Sequence, residues 1–79
     1  MKYEIRQERM CRLFSILGQL SPHSQVTISD LVSEYEVSER TISRDLEVLE
    51  RAKLGVFQDD DSIKISRNGY KKIRSWIIG

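Results

Sequence analysis

Hydrophobic residues recur at intervals of three and four along most of the chain, which is the spacing that places side chains on one side of a helix. The first such stripe consists of Met10, Leu13, Phe14, Leu17 and Leu20. It predicts a first helix that packs through these residues and ends near position 20. Turn-forming residues occupy positions 21–24, and residues 25–26 suit a short extended stretch before the next helix.

A second helix is predicted to begin after Thr27, which is a typical N-cap residue and is followed three positions later by Asp30. Its apolar residues again have helical spacing: Ile28, Leu31, Val32 and Tyr35. Only residues 36–38 separate it from the next hydrophobic stripe, and Ser38 is a second candidate N-cap. The pattern therefore predicts two short helices joined by a tight turn.

The third helix, over about 39–53, is predicted to have one apolar side and one basic side. At about 100° per residue, its main apolar residues fall within about 60° of one another. These are Ile42, Leu46 and Leu49. Its arginines fall within about 40° on the opposite side. These are Arg40, Arg44 and Arg51. One side of the helix is expected to pack and the other to face water.

Gly55 marks the end of the third helix, and short strand patterns follow at residues 56–58 and 63–65. They flank consecutive aspartates at 59–61, so we predict a hairpin with an acidic tip. Ser66 is the candidate N-cap of a last helix. Its predicted packing stripe is Tyr70, Ile73 and Ile77, and its basic stripe is Arg67, Lys71 and Arg74. The predicted fold is mainly α with a small β-hairpin.

Composition narrows the class of protein. With 79 residues, 39% hydrophobic and 32% charged, the chain suits one small domain over residues 1–79. The single Cys11 excludes an intrachain disulfide, and we expect a reducing compartment, the cytoplasm. No apolar run approaches the roughly 20 residues of a membrane span. Without a nucleophile-base pair, metal cluster or phosphate-binding glycine loop, we expect no enzyme, no cofactor and no small-molecule site.

The net charge of +1 conceals segments of opposite sign. Residues 66–79 carry four basic side chains and no acidic one, whereas residues 13–53 carry four basic and seven acidic ones. A chain with so small a total charge does not attract phosphate strongly as a whole. Any case for nucleic-acid binding therefore depends on where the basic side chains point.

Two stretches resemble a known family. Residues 26–31 (VTISDL) and 37–46 (VSERTISRDL) are similar to the winged helix-turn-helix of bacterial DeoR-type and WYL-type transcriptional regulators. The resemblance implies a helix-turn-helix over about 27–53, a wing over about 55–65 and a C-terminal helix over about 66–78. In such regulators this domain precedes a larger effector-binding or oligomerising domain, so the resemblance implies either a fragment or a minimal regulator.

The resemblance also implies which residues face DNA. The positions that match are Ser38, Arg40, Thr41, Ser43 and Arg44. We expect Arg40 and Ser43 to reach base edges and Arg44 to bind phosphate. Thr27 and Ser38 stand at helix starts, where unpaired backbone N–H groups can bind phosphate oxygens.

Three features depart from the family pattern. The acidic hairpin tip at 59–61 would repel phosphate, so we expect the wing not to grip DNA. Glu36 stands where the turn commonly has glycine and would be strained by about 1 kcal/mol if the position needs a positive φ. Glu39 and Glu47 border the proposed DNA face and should lower its affinity, although an acidic group can accept from cytosine.

We therefore predict a sequence-specific duplex DNA-binding domain that inserts helix 39–53 into the major groove, as a dimer on an inverted repeat. The alternative is a winged helix that docks a partner protein through the acidic wing or the apolar last helix. A third hypothesis is a domain that targets or regulates an attached enzyme. A homodimer seam would use Tyr70, Ile73, Trp76 and Ile77, which otherwise belong to the core.

Overall fold

The computed structural model describes residues 8–78, with the side chains of residues 8–76. Four helices and three strands follow in chain order: α1 (Arg9–Gln19), β1 (Val26–Thr27), α2 (Ile28–Tyr35), α3 (Glu39–Arg51), β2 (Val56–Asp59), β3 (Ser62–Ile65) and α4 (Arg67–Ile78). The predicted class, mainly α with a small β-hairpin, is confirmed. The first helix ends at Gln19, next to the predicted boundary, and α3 ends two residues before position 53.

Side-chain caps start α2, α3 and α4 at the predicted positions. The Thr27 hydroxyl accepts from the Asp30 N–H at 3.0 Å, and the Asp30 carboxylate accepts from the Thr27 N–H at 3.0 Å, which completes a capping box. Ser38 accepts from the Thr41 N–H at 3.1 Å, and Ser66 accepts from the Gly69 N–H at 3.1 Å. These caps define the beginning of each helix.

The hairpin belongs to a three-stranded antiparallel sheet with the order β1-β3-β2. Val56 pairs with Ile65 across the hairpin, and Asp59 pairs with Ser62 next to its tip. On the other side of β3, Val26 pairs with Ile63 and Thr27 with Ser62. The sequence predicted only an extended stretch before Thr27, and its pairing with the hairpin is a finding of the structure.

The core lies where α1, α2 and α3 meet the inner side of the sheet. Its buried hydrophobic residues are Ile16, Leu17, Leu20, Leu31, Tyr35, Ile42, Leu46, Leu49, Val56, Ile63 and Ile65. Tyr70 and Ile73 of α4 are partly buried against this cluster. The α4 packing stripe is therefore confirmed for Tyr70 and Ile73, while the side chain of Ile77 lies outside the described residues.

Two predictions about packing are wrong. Met10 and Phe14 were predicted to pack, but they are 64% and 63% exposed. Leu17 and Leu20 are buried and Leu13 is partly buried against the core, as predicted, and Arg12 and Ile16 complete the buried side of α1. Ile16 lies about 160° around the helix from Phe14, so α1 is rotated relative to the predicted stripe.

Trp76 is 57% exposed, so it is not a core residue. It stands three residues after the partly buried Ile73 and projects from the α4 surface into solvent. Among residues 8–78, no helix combines the length and the apolar character that crossing a membrane requires.

The turn between α2 and α3 imposes an unusual backbone conformation on Glu36, with φ 56° and ψ 45°. Position 36 therefore has the positive φ on which the predicted strain of Glu36 depended. Its N–H donates to the Val32 carbonyl at 2.9 Å and closes the last turn of α2. This geometry is what allows α3 to leave at an angle after only three connecting residues.

Candidate nucleic-acid interface

The third helix is anchored through one side and open on the other. Ile42, Leu46 and Leu49 are buried in the core, which confirms the predicted apolar side. Arg40, Arg44 and Arg51 are all exposed on the opposite side. The core thus fixes α3 while its arginines remain in solvent.

Three of the predicted site residues line one open cleft of about 440 Å³. Arg40, Ser43 and Arg44 form its α3 wall, and Gln58 of β2 and Ile28 of α2 also line it. Glu47 lines it too, next to the arginines as predicted, and so does Glu50, which the sequence analysis did not single out. The cleft therefore combines hydrogen-bond donors and acceptors along an exposed helix.

A second cleft of about 370 Å³ continues the first, because both are lined by Ile28 and Gln58. It lies between the starts of α2 and α3 and the hairpin tip, and its other lining residues are Thr27, Ser29, Glu39 and Asp61. Thr27 therefore lies next to the first cleft, because the two clefts share these two lining residues. The carboxylates of Glu39 and Asp61 make this end of the surface negative.

Ser38 and Thr41 lie at the start of α3, where Ser38 is exposed and Thr41 is half-buried. Their hydroxyl oxygens are 3.0 Å apart. The Ser38 hydroxyl therefore serves the helix, because it also caps the Thr41 N–H. The first backbone hydrogen bond within α3 runs from the Ile42 N–H to the Ser38 carbonyl. The N–H groups of Glu39 and Arg40 come before it in the helix and have no carbonyl partner within the helix.

Arg40 and Arg44 are available for a ligand. Within residues 8–78, neither guanidinium makes an ion pair or hydrogen bond with another described side chain. Guanidinium groups present planar sets of donors that match phosphate and the acceptor edge of guanine. The arrangement can therefore bind an anionic, acceptor-rich partner without first breaking an internal salt bridge.

A buried ion pair supports α3 from behind. Arg12 of α1 donates to both carboxylate oxygens of Asp45, through Nε to Oδ2 and through a terminal nitrogen to Oδ1 at 3.1 Å. Arg12 is 5% exposed and Asp45 is 1% exposed. Hydrogen bonding to Asp45 raises the pKa of Arg12, so the guanidinium stays protonated although it is buried. This pair joins α1 to the face of α3 opposite its exposed arginines.

Sequence reasoning missed Gln58 and the Arg12–Asp45 pair. Gln58 stands two residues after Val56, and side chains two apart in a strand share a face, so the alternation indicated that Gln58 points toward the helices. Asp45 is three residues after Ile42 and four before Leu49, which places a carboxylate inside the apolar stripe. A charged residue at such a position indicates a buried partner.

Comparison with known proteins adds one finding. A family model described as an HTH domain matches residues 12–71, from the buried arginine of α1 to the second turn of α4. The match includes all candidate site residues, which lie between positions 27 and 44. No curated protein and no solved structure matches the chain.

Proposed function

From the premise that the chain belongs to the helix-turn-helix (HTH) domain family, we propose that it binds duplex DNA sequence-specifically. The chain has the winged form of the helix-turn-helix fold. On this proposal α3 inserts into the major groove, and the protein acts in transcriptional control. The role is non-enzymatic and cytoplasmic. Similarity to DeoR-type and WYL-type regulators in residues 37–46 supports the regulatory part.

The observation that carries the proposal is the orientation of α3. Arg40 and Arg44 are exposed and without internal partners in the described part of the chain, while Ile42 and Leu46 hold the helix in the core. A major groove about 12 Å wide admits one such helix, provided that its outer side is clear. The hairpin borders the cleft through Gln58 and leaves both arginines exposed.

Each site residue has a proposed role. Arg40 and Ser43 read base edges, and Arg44 binds phosphate, because they line the same cleft along α3. Ser38 and Thr41 position the helix start, where the free N–H groups can receive a phosphate oxygen. Thr27 offers a similar start at α2, although Asp61 and Glu39 beside it oppose a close phosphate.

Two substitutions separate these roles. Arg44→Ala is expected to weaken binding to all duplexes and to reduce the slope of log affinity against log salt by about 1. Arg40→Ala is expected to cost about 1–3 kcal/mol at one base pair and to relax the preference there. Both effects are measured by fluorescence anisotropy on selected and scrambled duplexes over a range of salt concentrations.

Lys72→Ala is the matched control, because Lys72 is an exposed cation of α4 that lines neither α3 cleft. It should leave the salt slope and the base preference unchanged. An unchanged slope in Arg44→Ala would exclude its phosphate role. If Arg40→Ala and Arg44→Ala both bind selected DNA as the parent does, α3 is not the DNA-binding element.

A second candidate function is favoured by exposed apolar side chains. Phe14 and Trp76 are both more than half exposed, and exposed apolar side chains mark an interaction surface where they form a continuous patch. They favour a protein-docking or homodimer surface that includes Tyr70 and Ile73. Loss of self-association in Trp76→Ala by analytical ultracentrifugation, with DNA affinity per protomer intact, would support it. A parent that is monomeric at all concentrations would exclude the homodimer.

If the protein dimerises with two-fold symmetry, its two α3 helices should meet successive major grooves about 34 Å apart. The matching DNA site is an inverted repeat with one half-site for each protomer. Inserting five base pairs between the half-sites should then abolish cooperative binding, since it rotates one half-site by half a helical turn. A protein that binds DNA as a monomer would bind equally well with and without that insertion.

A further inference from the structure

A separate cleft of about 370 Å³ lies between the turn that follows α1 and the first turns of α4. It is lined by Ser21, Pro22, His23, Arg67, Tyr70 and Lys71. Arg67 and Lys71 contribute cationic groups, and Pro22 and Tyr70 contribute apolar surface. We propose that this cleft binds the phosphate group of a phosphate ester, with the organic substituent against the apolar surface.

The charge around the cleft is uniformly basic. All of its lining residues come from segments 20–29 and 62–79 of the sequence, and neither segment contains an acidic residue. Within the described residues, Arg67 and Lys71 have neither an ion-pair nor a hydrogen-bonding partner. The two are four residues apart on one helix, so their charges repel each other. An anion bound between them would remove this repulsion.

The opposite wall of the cleft is ordered before any ligand binds. The Ser24 hydroxyl donates to the Ile63 carbonyl at 2.8 Å, and Lys64 Nζ donates to the Ser24 carbonyl at 3.0 Å. The Ile65 N–H donates to the Ser21 carbonyl at 3.4 Å. The turn is therefore fixed to β3, and a ligand would not bear the entropic cost of ordering it.

The chemistry of the lining residues favours phosphate. A guanidinium can donate two parallel hydrogen bonds to phosphate oxygens, and a lysine adds a compact positive charge. The Tyr70 ring is held by Arg74, which donates to its hydroxyl at 3.0 Å and lies 5.5 Å from the ring centroid. This contact fixes the apolar surface beside the cations, which suits an ester better than a bare ion.

The cleft is distinct from the candidate DNA interface. Thr27 pairs with Ser62 near the hairpin tip, and Val26 pairs with Ile63, so the chain before β1 runs along β3 toward Ile65 and α4. The phosphate cleft therefore lies at the opposite end of β3 from the Thr27 cleft. The two α3 clefts share no lining residue with it. Binding of phosphate in this cleft does not depend on the proposed function, and only the comparison with DNA in the second experiment rests on it.

The first experiment titrates the full chain with phenyl phosphate at constant ionic strength and follows backbone amide shifts by NMR. Saturable shifts confined to residues 21–24 and 67–71 are expected, with a dissociation constant on the order of 1 mM or lower. Arg67→Gln and Lys71→Gln should each weaken binding about tenfold. Lys72→Gln removes the same charge from an exposed residue of α4 outside the cleft and should leave binding unchanged.

The second experiment identifies the source of the phosphate. If the Arg67→Gln/Lys71→Gln double variant loses phenyl phosphate binding but keeps the parent's DNA salt slope, the site serves a soluble phosphomonoester. If its salt slope also falls by about 0.9, the site holds a phosphate of the DNA backbone.

Two results would overturn the proposal. One is a titration without saturation that sodium chloride reproduces at equal ionic strength. The other is a loss of binding in Lys72→Gln as large as that in Arg67→Gln, which would indicate general attraction to a basic helix. Neither result would bear on α3, because the phenyl phosphate titration contains no DNA.

Discussion

Glu36 has a left-handed backbone, with φ 56° and ψ 45°, and is the first of the three residues that connect α2 to α3. A residue with a Cβ is strained there, whereas glycine is not. The side chain of Glu36 is exposed, so its removal costs no packing. A substitution of Glu36 by glycine therefore changes the stability of the fold only through the backbone conformation.

We expect Glu36→Gly to raise the free energy of unfolding by about 0.5–1 kcal/mol, since relief of strain exceeds the added flexibility of the unfolded chain. The matched control is Glu47→Gly, which makes the same substitution at an exposed residue inside α3 and should lower stability by about 0.5–1 kcal/mol. Urea denaturation monitored by circular dichroism measures both. Equal losses in the two variants would contradict the strain argument.

Arg12 and Asp45 are the buried charged residues of the described chain, and each is the other's hydrogen-bonding partner. Removing either side chain takes away the charged group that the other contacts in a low-dielectric interior. Replacing both with hydrophobic residues of similar volume removes the desolvation cost together with the attraction. The pair therefore constrains which residues fit at both positions more than it adds to stability.

Asp45→Ala is expected to destabilise the protein by about 3–5 kcal/mol, and Arg12→Met/Asp45→Leu is expected to recover most of that loss. Equilibrium denaturation of the parent, the two single variants and the double variant gives the coupling energy. A double variant whose loss equals the sum of the single losses would show that the two side chains act independently. In that case the pair would not be the link between α1 and α3.

At the level of elements, α1 shows which side of a helix carries stability. Ile16 is fully buried, whereas Phe14, two residues earlier, is mostly exposed. Only the buried side chain exchanges water for protein contacts on folding. Size and hydrophobicity alone would rank the phenylalanine first.

Ile16→Ala should therefore lower the free energy of unfolding by about 2–5 kcal/mol. Phe14→Ala should change it by less than about 1 kcal/mol, because it creates no cavity. Thermal denaturation followed by circular dichroism compares the two. A larger loss in Phe14→Ala would show that Phe14 packs in the core, as its helical spacing predicts.

Features that depend on nearby residues were predictable from the sequence. The caps at Thr27 and Ser38, the buried side of α3 and its outward arginines follow from spacings of three and four, which a single helix imposes. The candidate site on α3 was predictable for the same reason. The exposure of its arginines to solvent was therefore predictable before any tertiary structure.

Features that depend on distant partners were not predictable. Arg12 is buried against Asp45, which is 33 residues away, and the spacing of residues within α1 does not reveal such a contact. Strand β1 has only two residues, too few for an alternating pattern, and exists because it pairs with β3. Gln58 joins the site through the same sheet, so the hairpin's contribution became evident only with the tertiary fold.

At the level of the whole molecule, charge is unevenly distributed. The acidic hairpin tip and Glu39 make one end of the candidate interface negative, while α4 is basic on a different side. With a net charge of only +1, the local placement of charge decides how phosphate approaches. Asp61 should therefore reduce DNA affinity through long-range repulsion.

Asp61→Asn is expected to increase duplex affinity about two- to fivefold at low salt, and the gain should shrink as the Debye length falls to about 3 Å at 1 M salt. Glu34→Gln is the control, since it also removes one negative charge but lies on α2 against Gln19 of α1. It should change affinity less. Equal gains in both variants would indicate that net charge alone controls binding.

Thr27 pairs with Ser62 of β3 and also caps α2, so one residue joins the sheet to the helix-turn-helix. The distance between the hairpin and α3 is thereby set by covalent and hydrogen-bonded connections within a few residues. On the proposed function, the spacing between the hairpin and α3 stays the same when the protein binds DNA. Adaptation must then come from the duplex, and operators with easily deformed base steps should be preferred even where no side chain reaches them.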